Sequence, residues 1–268
     1  MRLPAALAAL ALLVVSNPAP AANAQAAPAS ALAAHKAAYT LTLDSVRGND
    51  IVAAHGTMGY EVVDACDGWA VRQRLEMVIT NSDGQDIEMV SDYTTWESKD
   101  GLKLRFRMKQ TTETAVSSQT EGAATLRRPG AAGEARYVLP RQQTITLPAG
   151  TQFPMQHTAS IIAGAREGKR FLNIPLFDGT DENGVEDSSV VVLDWKKGAK
   201  TTFPALQNLQ STRVRIAFFD RKPDATTPAY EVGMRYWENG VADDMQMDFG
   251  DFVMRAKMTN LAMQPKRC

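Results

Sequence analysis

The sequence predicts a mainly β fold: a large antiparallel sheet of about a dozen or more strands, coiled into a β-spiral or half-open barrel with one main α-helix. Three observations predict it. Apolar and polar residues alternate in short runs from Tyr39 onward. Turn-forming pairs such as Asp83-Gly84, Asp100-Gly101 and Asn239-Gly240 separate the runs. Only one stretch, beginning near Pro154, carries helical periodicity. A meander this long does not stay flat, because every strand pair adds right-handed twist.

The chain opens on a processing signal. Arg2 precedes an unbroken apolar run from Ala5 to Val15, and Ala22-Asn23-Ala24 fits a small-residue cleavage site. Residues 1–24 are expected to be a signal peptide and residues 25–38 a flexible, alanine-rich leader. Residues 39–268 form a single β-spiral domain. The signal implies export, with no span of the membrane after cleavage.

Strands follow in order. Tyr39–Leu43 alternates, Gly48-Asn49-Asp50 turns, and Ile51–Val63 returns, with Gly56 and Gly59 as bends or bulges. Trp69, Val71, Leu75, Met77 and Ile79 share one face of the next strand; Arg72, Arg74, Glu76 and Thr80 share the other. Ile87, Met89 and Tyr93 point inward from the fourth run. In the fifth, Leu102, Leu104, Phe106 and Met108 oppose Lys103, Arg105, Arg107 and Lys109. A tight turn at Lys99-Asp100 sets Tyr93 opposite Phe106 and Asp92 opposite Arg107. The basic face is read as solvated and paired with Asp86, Glu88 and Asp92. Thr111–Leu126, Ala135–Leu139 and Thr144–Leu147 continue the pattern.

The helix starts at Pro154, which suits a first helical turn. Met155, Ala159, Ile162 and Ala165 form its stripe, and Gly168 its stop. Arg170–Phe177, broken by Pro175, and Val190–Trp195, Arg213–Phe219 and Tyr230–Trp237 are strands. Asp178–Asp187 reads as an acidic turn; Asp181–Asp187 has carboxylates and a glycine that could wrap calcium, but lacks the EF-hand spacing, so a solvated hairpin tip is the favoured reading. Asn239-Gly240 is a type I′ signal that faces Met234 with Met245, Val232 with Met247 and Tyr230 with Phe249. The parity then changes, which implies a bulge at Gly250-Asp251. Trp69, Trp96, Trp195 and Trp237 fall on strands, the second and fourth on outward parity. Inward methionines, among them Met58, Met77, Met234, Met245 and Met254, suit either a ligand cavity or a gap-filling core.

Charge and motifs exclude more than they assign. With 29 basic and 30 acidic residues, no net field draws the chain to nucleic acid. His35, His55 and His157 have no partner at metal-ligand spacing, and no nucleophile elbow or phosphate loop occurs. No catalytic residue, cofactor or metal is expected. Acids such as Asp243, Asp244 and Asp248 would be the candidates for an enzyme acting on an envelope polymer, but a salt bridge from Asp244 to Arg235 is the plainer account. Cys66 and Cys268 are the only cysteines. In an oxidising compartment they pair with each other, unless Cys268 stays free or bridges to another molecule.

Cys66-Asp67-Gly68-Trp69 followed by Gln73-Arg74, together with the signal peptide and the terminal cysteine, resembles the EipB family of periplasmic cell-envelope integrity proteins. The resemblance covers the whole expected mature chain. It implies a many-stranded β-spiral, a bridge between Cys66 and Cys268, and a role in maintaining the envelope. The spiral is similar in shape to periplasmic lipoprotein carriers, which hold acyl chains around a helix. A non-enzymatic protein that binds a lipid, a lipoprotein or a periplasmic envelope protein is therefore expected, with no catalytic residues carried over.

Overall fold

A computed structural model of the chain describes residues 32–222, 225–265 and 268. The expected signal peptide, the leader up to residue 31, Pro223 and Lys266-Arg267 lie outside the described residues. The strands are β1 His35–Val46, β2 Ile51–Asp64, β3 Gly68–Asn81, β4 Asp86–Ser98, β5 Lys103–Thr112, β6 Ala115–Leu126, β7 Gly133–Leu139, β8 Gln143–Leu147, β9 Phe171–Leu176, β10 Glu186–Val192, β11 Lys196–Lys197, β12 Gln210–Asp220, β13 Tyr230–Trp237, β14 Ala242–Asp248 and β15 Phe252–Met263. The helix α1, Pro154–Arg166, joins β8 to β9.

All fifteen strands belong to one antiparallel sheet, ordered β8-β7-β6-β5-β4-β3-β2-β1-β15-β14-β13-β12-β10-β9, with β11 on β12. The meander is thus cut once. The two ends of the chain meet at the centre of the sheet, and its middle supplies both edges. The sheet coils without closing: β2 and β3 residues Met58 and Met77 share a core cluster with Val190, Val214 and Met245 from the far half. A second cluster gathers Leu104, Phe106, Tyr137, Phe153 and Phe177. A third sets Met155, Ala159 and Ile162 of α1 against Val62, Trp69 and Val71. The methionines therefore pack within the core. Two surface clefts, of about 290 and 100 Å³, are lined by none of them.

Several expectations are corrected, each for a local reason. The first strand begins at His35, four residues inside the expected leader, because it pairs with both β2 and β15 from there. Gly56 and Gly59 lie in an unbroken ladder with β1; Gly56 has no room for a Cβ against the backbone of Glu76 and Met77. The β4–β5 pairing sets Tyr93 opposite Met108 and Asp92 opposite Lys109, two residues from the expected register. A four-residue turn explains it: the Ser98 hydroxyl accepts the Lys103 N–H at 2.9 Å and the Leu102 N–H at 3.2 Å. A slip of two preserves the face of every side chain, so the apolar pattern alone could not detect it.

At Asn239-Gly240 the loop has three residues, closed by Trp237 N–H to Val241 O at 2.8 Å. Arg235 consequently faces Asp243, and a bulge at Asp244, φ 49°, restores Val232 opposite Met247. Gly250-Asp251 is a hairpin turn instead of a bulge: Phe249 N–H donates to Phe252 O at 3.0 Å, and Gly250 takes φ 90°. Ile87 is exposed near a strand end, and Trp195 lies between β10 and β11. Trp237, expected outward, is fully buried. Pro175 does not break its strand, because β9 is an edge.

Candidate functional site

The first four residues of the early motif, Cys66-Asp67-Gly68-Trp69, collect at one rim of the sheet. Cys66 sits in the β2–β3 turn at φ 70°, its N–H bonded to the Asp64 carboxylate at 3.0 Å. It is joined to Cys268, with 5.4 Å between the Cα atoms, inside the usual span for a disulfide. The bridge thereby ties the C-terminus to the β2–β3 turn across 202 residues of chain. Gly68 follows because a Cβ there would meet the Trp96 indole and the Glu97 carbonyl. Trp69 is buried, and the Lys99 ammonium caps its ring 3.1 Å from the centroid while pairing with Asp64 at 2.9 Å. Gln73 and Arg74 do not join this corner. Gln73 lies on the inward face beside Tyr60 and Tyr93; Arg74 points outward to Glu76 and Asp92.

One strand further on, Glu97 of β4 enters the interior and is fully buried. Its carboxyl accepts the backbone N–H of Met155 at 2.7 Å and of Gln156 at 2.8 Å. These are orphan donors of the first turn of α1, whose own preceding residue, Phe153, offers no side-chain cap. Glu97 is therefore a cap supplied from the sheet. The two N–H groups favour its anion, but burial outweighs them and pushes its pKa up to about 8. Sequence parity could have exposed Glu97, since it shares the inward face with Tyr93. The absence of Ser, Thr, Asp or Asn just before Pro154 was the second signal.

The helix is held on its other sides as well. His157 Nε2 lies 2.7 Å from the Ser188 hydroxyl on β10, and that hydroxyl donates to Ile174 O at 2.8 Å. The serine proton is thus committed, so the imidazole must donate. Burial pushes the His157 pKa down to about 4, which keeps the ring neutral. This is the reverse of a nucleophile–base pair, in which the ring accepts the hydroxyl proton. Gly164 lets α1 approach Leu172 of β9.

The Asp181–Asp187 tip is solvated only in part: within the Asp178–Asp187 turn Glu182 and Asn183 are exposed, whereas Gly179, Gly184 and Val185 are buried. The turn folds over the second core cluster, where its backbone carbonyls are recognised one by one. Tyr93 OH donates to Asp178 O at 2.7 Å, Thr120 Oγ1 to Gly179 O at 2.5 Å, and Tyr137 OH to Asp181 O at 2.9 Å. Gly179 fits against the Phe106 ring, where a Cβ would collide. Burial pushes the Asp178 carboxyl up, and burial with Asp178 and Asp181 pushes Glu186 up to about 7.

The acids considered for catalysis are occupied elsewhere. Asp248 pairs with Arg47 at 2.6 Å, and Asp244 pairs with Arg213 instead of the expected Arg235. Among the described residues, no three His, Cys, Asp or Glu side chains converge as metal ligands. No described helix is long and apolar enough to cross a membrane.

Residues 26–265 match the family model described as EipB-like. The chain is 30% identical over 248 residues to the cell envelope integrity protein EipB of Brucella abortus (strain 2308), covering 89% of this chain and 86% of that protein. A crystal structure from Brucella abortus, a beta-barrel-like protein of a domain of unknown function, superposes with a TM-score of 0.79 at 29% identity. The match covers 87% of this chain and 99% of that one.

Proposed function

The chain belongs to the EipB-like family, and on that premise we propose that it is a non-catalytic periplasmic protein that maintains cell-envelope integrity. It does so as a disulfide-tied scaffold that binds an envelope partner or an apolar ligand on its coiled sheet. The observation that carries this reading is the similarity to a cell envelope integrity protein along 86% of that protein's length. The geometry supports it. The concave side is occupied by α1 and by packed methionines, and its one buried Ser–His contact is oriented against nucleophilic chemistry. A lipid or acylated lipoprotein would enter by displacing α1; a folded partner would dock on the exposed sheet.

The test is a strain lacking the gene, complemented with the wild-type protein or with Cys66→Ser, and challenged with detergents and cell-wall antibiotics. The expected result is sensitivity in the deletion strain, rescue by the wild type and partial rescue by Cys66→Ser. A deletion strain as resistant as its parent would remove the envelope role. Full rescue by Cys66→Ser would leave that role and remove the need for the bridge.

A further inference from the structure

We infer that the outer face of β3–β7 is a docking surface for an anionic polysaccharide. The inference goes beyond the envelope role and does not depend on it. Register lines up Ala70, Trp96, Arg105, Ala123 and Arg136 in one row across the five strands. The neighbouring row holds Arg72, Thr94, Arg107 and Glu121. On the other side Lys103 stands beside Thr125. Alternate residues of a strand lie about 7 Å apart, and neighbouring strands about 4.8 Å apart. The cations therefore form a regular grid. Ala70, Thr94, Ala123 and Thr125 between them are small, so the floor is flat and the grid is open from above.

The charge on this grid is largely uncompensated. Five cations, Arg72, Lys103, Arg105, Arg107 and Arg136, have three carboxylates beside them, and one of these, Glu61 opposite Arg72, is taken by Lys36 at 2.8 Å. Arg136 pairs with Glu134 at 2.5 Å, and Arg107 reaches Glu121 only at 3.7 Å. Arg105 lies over the Trp96 ring, 5.3 Å from its centroid, with no acid beside it. The acids of β4 do not neutralise the face as the sequence suggested: Asp92 is engaged by Arg74 at 2.8 Å, and Asp86 by the Thr80 hydroxyl at 2.6 Å. Elsewhere on the outer surface several arginines are matched, as with Arg47 and Asp248 at 2.6 Å and Arg255 and Asp44 at 3.1 Å.

The chemistry of the grid selects the occupant. Four of its five cations are arginines, whose planar forks bind carboxylate, sulfate or phosphate oxygens in pairs. Trp96 is half-buried, its indole packed against Gly68 beneath the Arg105 guanidinium. The ring receives the C–H face of a sugar once that guanidinium swings to an acidic substituent, with Arg72 nearby for a second. A membrane surface would call for long apolar side chains standing out among the cations. The exposed large apolar residues on these strands, Ile87, Val116 and Val138, each stand one residue from a strand end and are short or branched.

Affinity electrophoresis of the mature protein in gels containing polygalacturonate or neutral dextran tests this, with vesicles of phosphatidylglycerol as a third probe. Retardation by polygalacturonate and not by dextran is expected, weakening as salt screens the charges. The triple variant Lys103→Glu/Arg105→Glu/Arg107→Glu should lose about tenfold or more in affinity while its circular dichroism is unchanged. If that variant does not fold, Arg105→Gln alone should still weaken retardation. Trp96→Ala should weaken retardation by polygalacturonate more than by inorganic polyphosphate, which has no ring to stack. Equal mobility in the two polymers, or undiminished retardation of a folded charge variant, overturns the inference. Binding to the vesicles without binding to polygalacturonate also overturns it, in favour of a lipid surface.

Discussion

The sheet has one seam and two edges, and they are held by different physics. At the seam β1 pairs with β15 from His35–Met263 to Val46–Phe252, so backbone hydrogen bonds provide the continuity. Its ends are fastened by the Cys66–Cys268 disulfide and by a bidentate contact from Arg47 to Asp248, both bonds 2.6 Å. The edges, β8 and β9, share no ladder. A single bridge between Gln152 and Leu176 links their neighbourhoods. They are secured by side chains instead: α1 clamped by Glu97 and Ser188, and the acidic segment pinned by Tyr93, Thr120 and Tyr137. The edges are short, and Pro175 removes a donor from β9, so neither offers a long template to another strand. The difference teaches that a sheet can be stitched where the chain ends meet, while its open margins rely on individual polar contacts to buried groups.

The largest effect should come from breaking the seam. Cys66→Ser should lower stability by about 2–5 kcal/mol, since the bond closes a very long loop. Urea unfolding of the oxidised wild type against the variant measures it. Coincident curves would show that the β1–β15 ladder suffices unaided.

Breaking the clamp on α1 should come next. Glu97→Ala leaves two helix N–H groups buried without an acceptor and should lower stability by about 1–3 kcal/mol. The same residue predicts a pH dependence. Burial raises its folded pKa to about 8, above the unfolded value, so its favourable contribution is complete at low pH and is lost as pH rises through about 8. His157 and Glu186, with pKa values of about 4 and about 7, titrate below Glu97, so Glu97 dominates between about pH 7 and about pH 8. Thermal melts should therefore show a decline in the wild type from about pH 7 to about pH 8 that levels off above it, and Glu97→Gln should reduce that decline. Identical slopes would mean that Glu97 does not titrate there.

The smallest effect belongs to the acidic segment. Tyr93→Phe removes one hydroxyl from the Asp178 carbonyl and should lower stability by about 0.5–1.5 kcal/mol. Hydrogen exchange should rise locally over residues 178–186 and stay unchanged at the seam. Faster exchange in β1 and β15 would show that margin and seam open together.

Much of the sheet was legible in the sequence, because alternation of period two reports the face of each residue directly. That is why the buried set Trp69, Val71, Leu75 and Met77, the inward face of most methionines and the start of α1 at Pro154 were readable, whereas whether the methionines line a cavity or fill a core was not. Turns were less so. Asn239-Gly240 signals a hairpin, but whether its loop has two or three residues depends on the bulge that Asp244 accepts. The acidic segment misled because its carboxylates suggest solvent, whereas its backbone carbonyls are what the fold binds. Of the candidate site, the paired cysteines were legible through composition and resemblance. Glu97 and Lys99 were not, because their partners, Met155 and Trp69, are brought to them only by folding.

What the sequence determined by itself is most of the element inventory, the face most strand side chains take and the presence of two cysteines able to bond. These depend on neighbours a few residues away and on chain chemistry. The tertiary structure alone decided that β1 meets β15, that β8 and β9 become the margins, and that a glutamate from β4 caps α1. Each of these joins groups tens to hundreds of residues apart, and no local periodicity carries information across such distances.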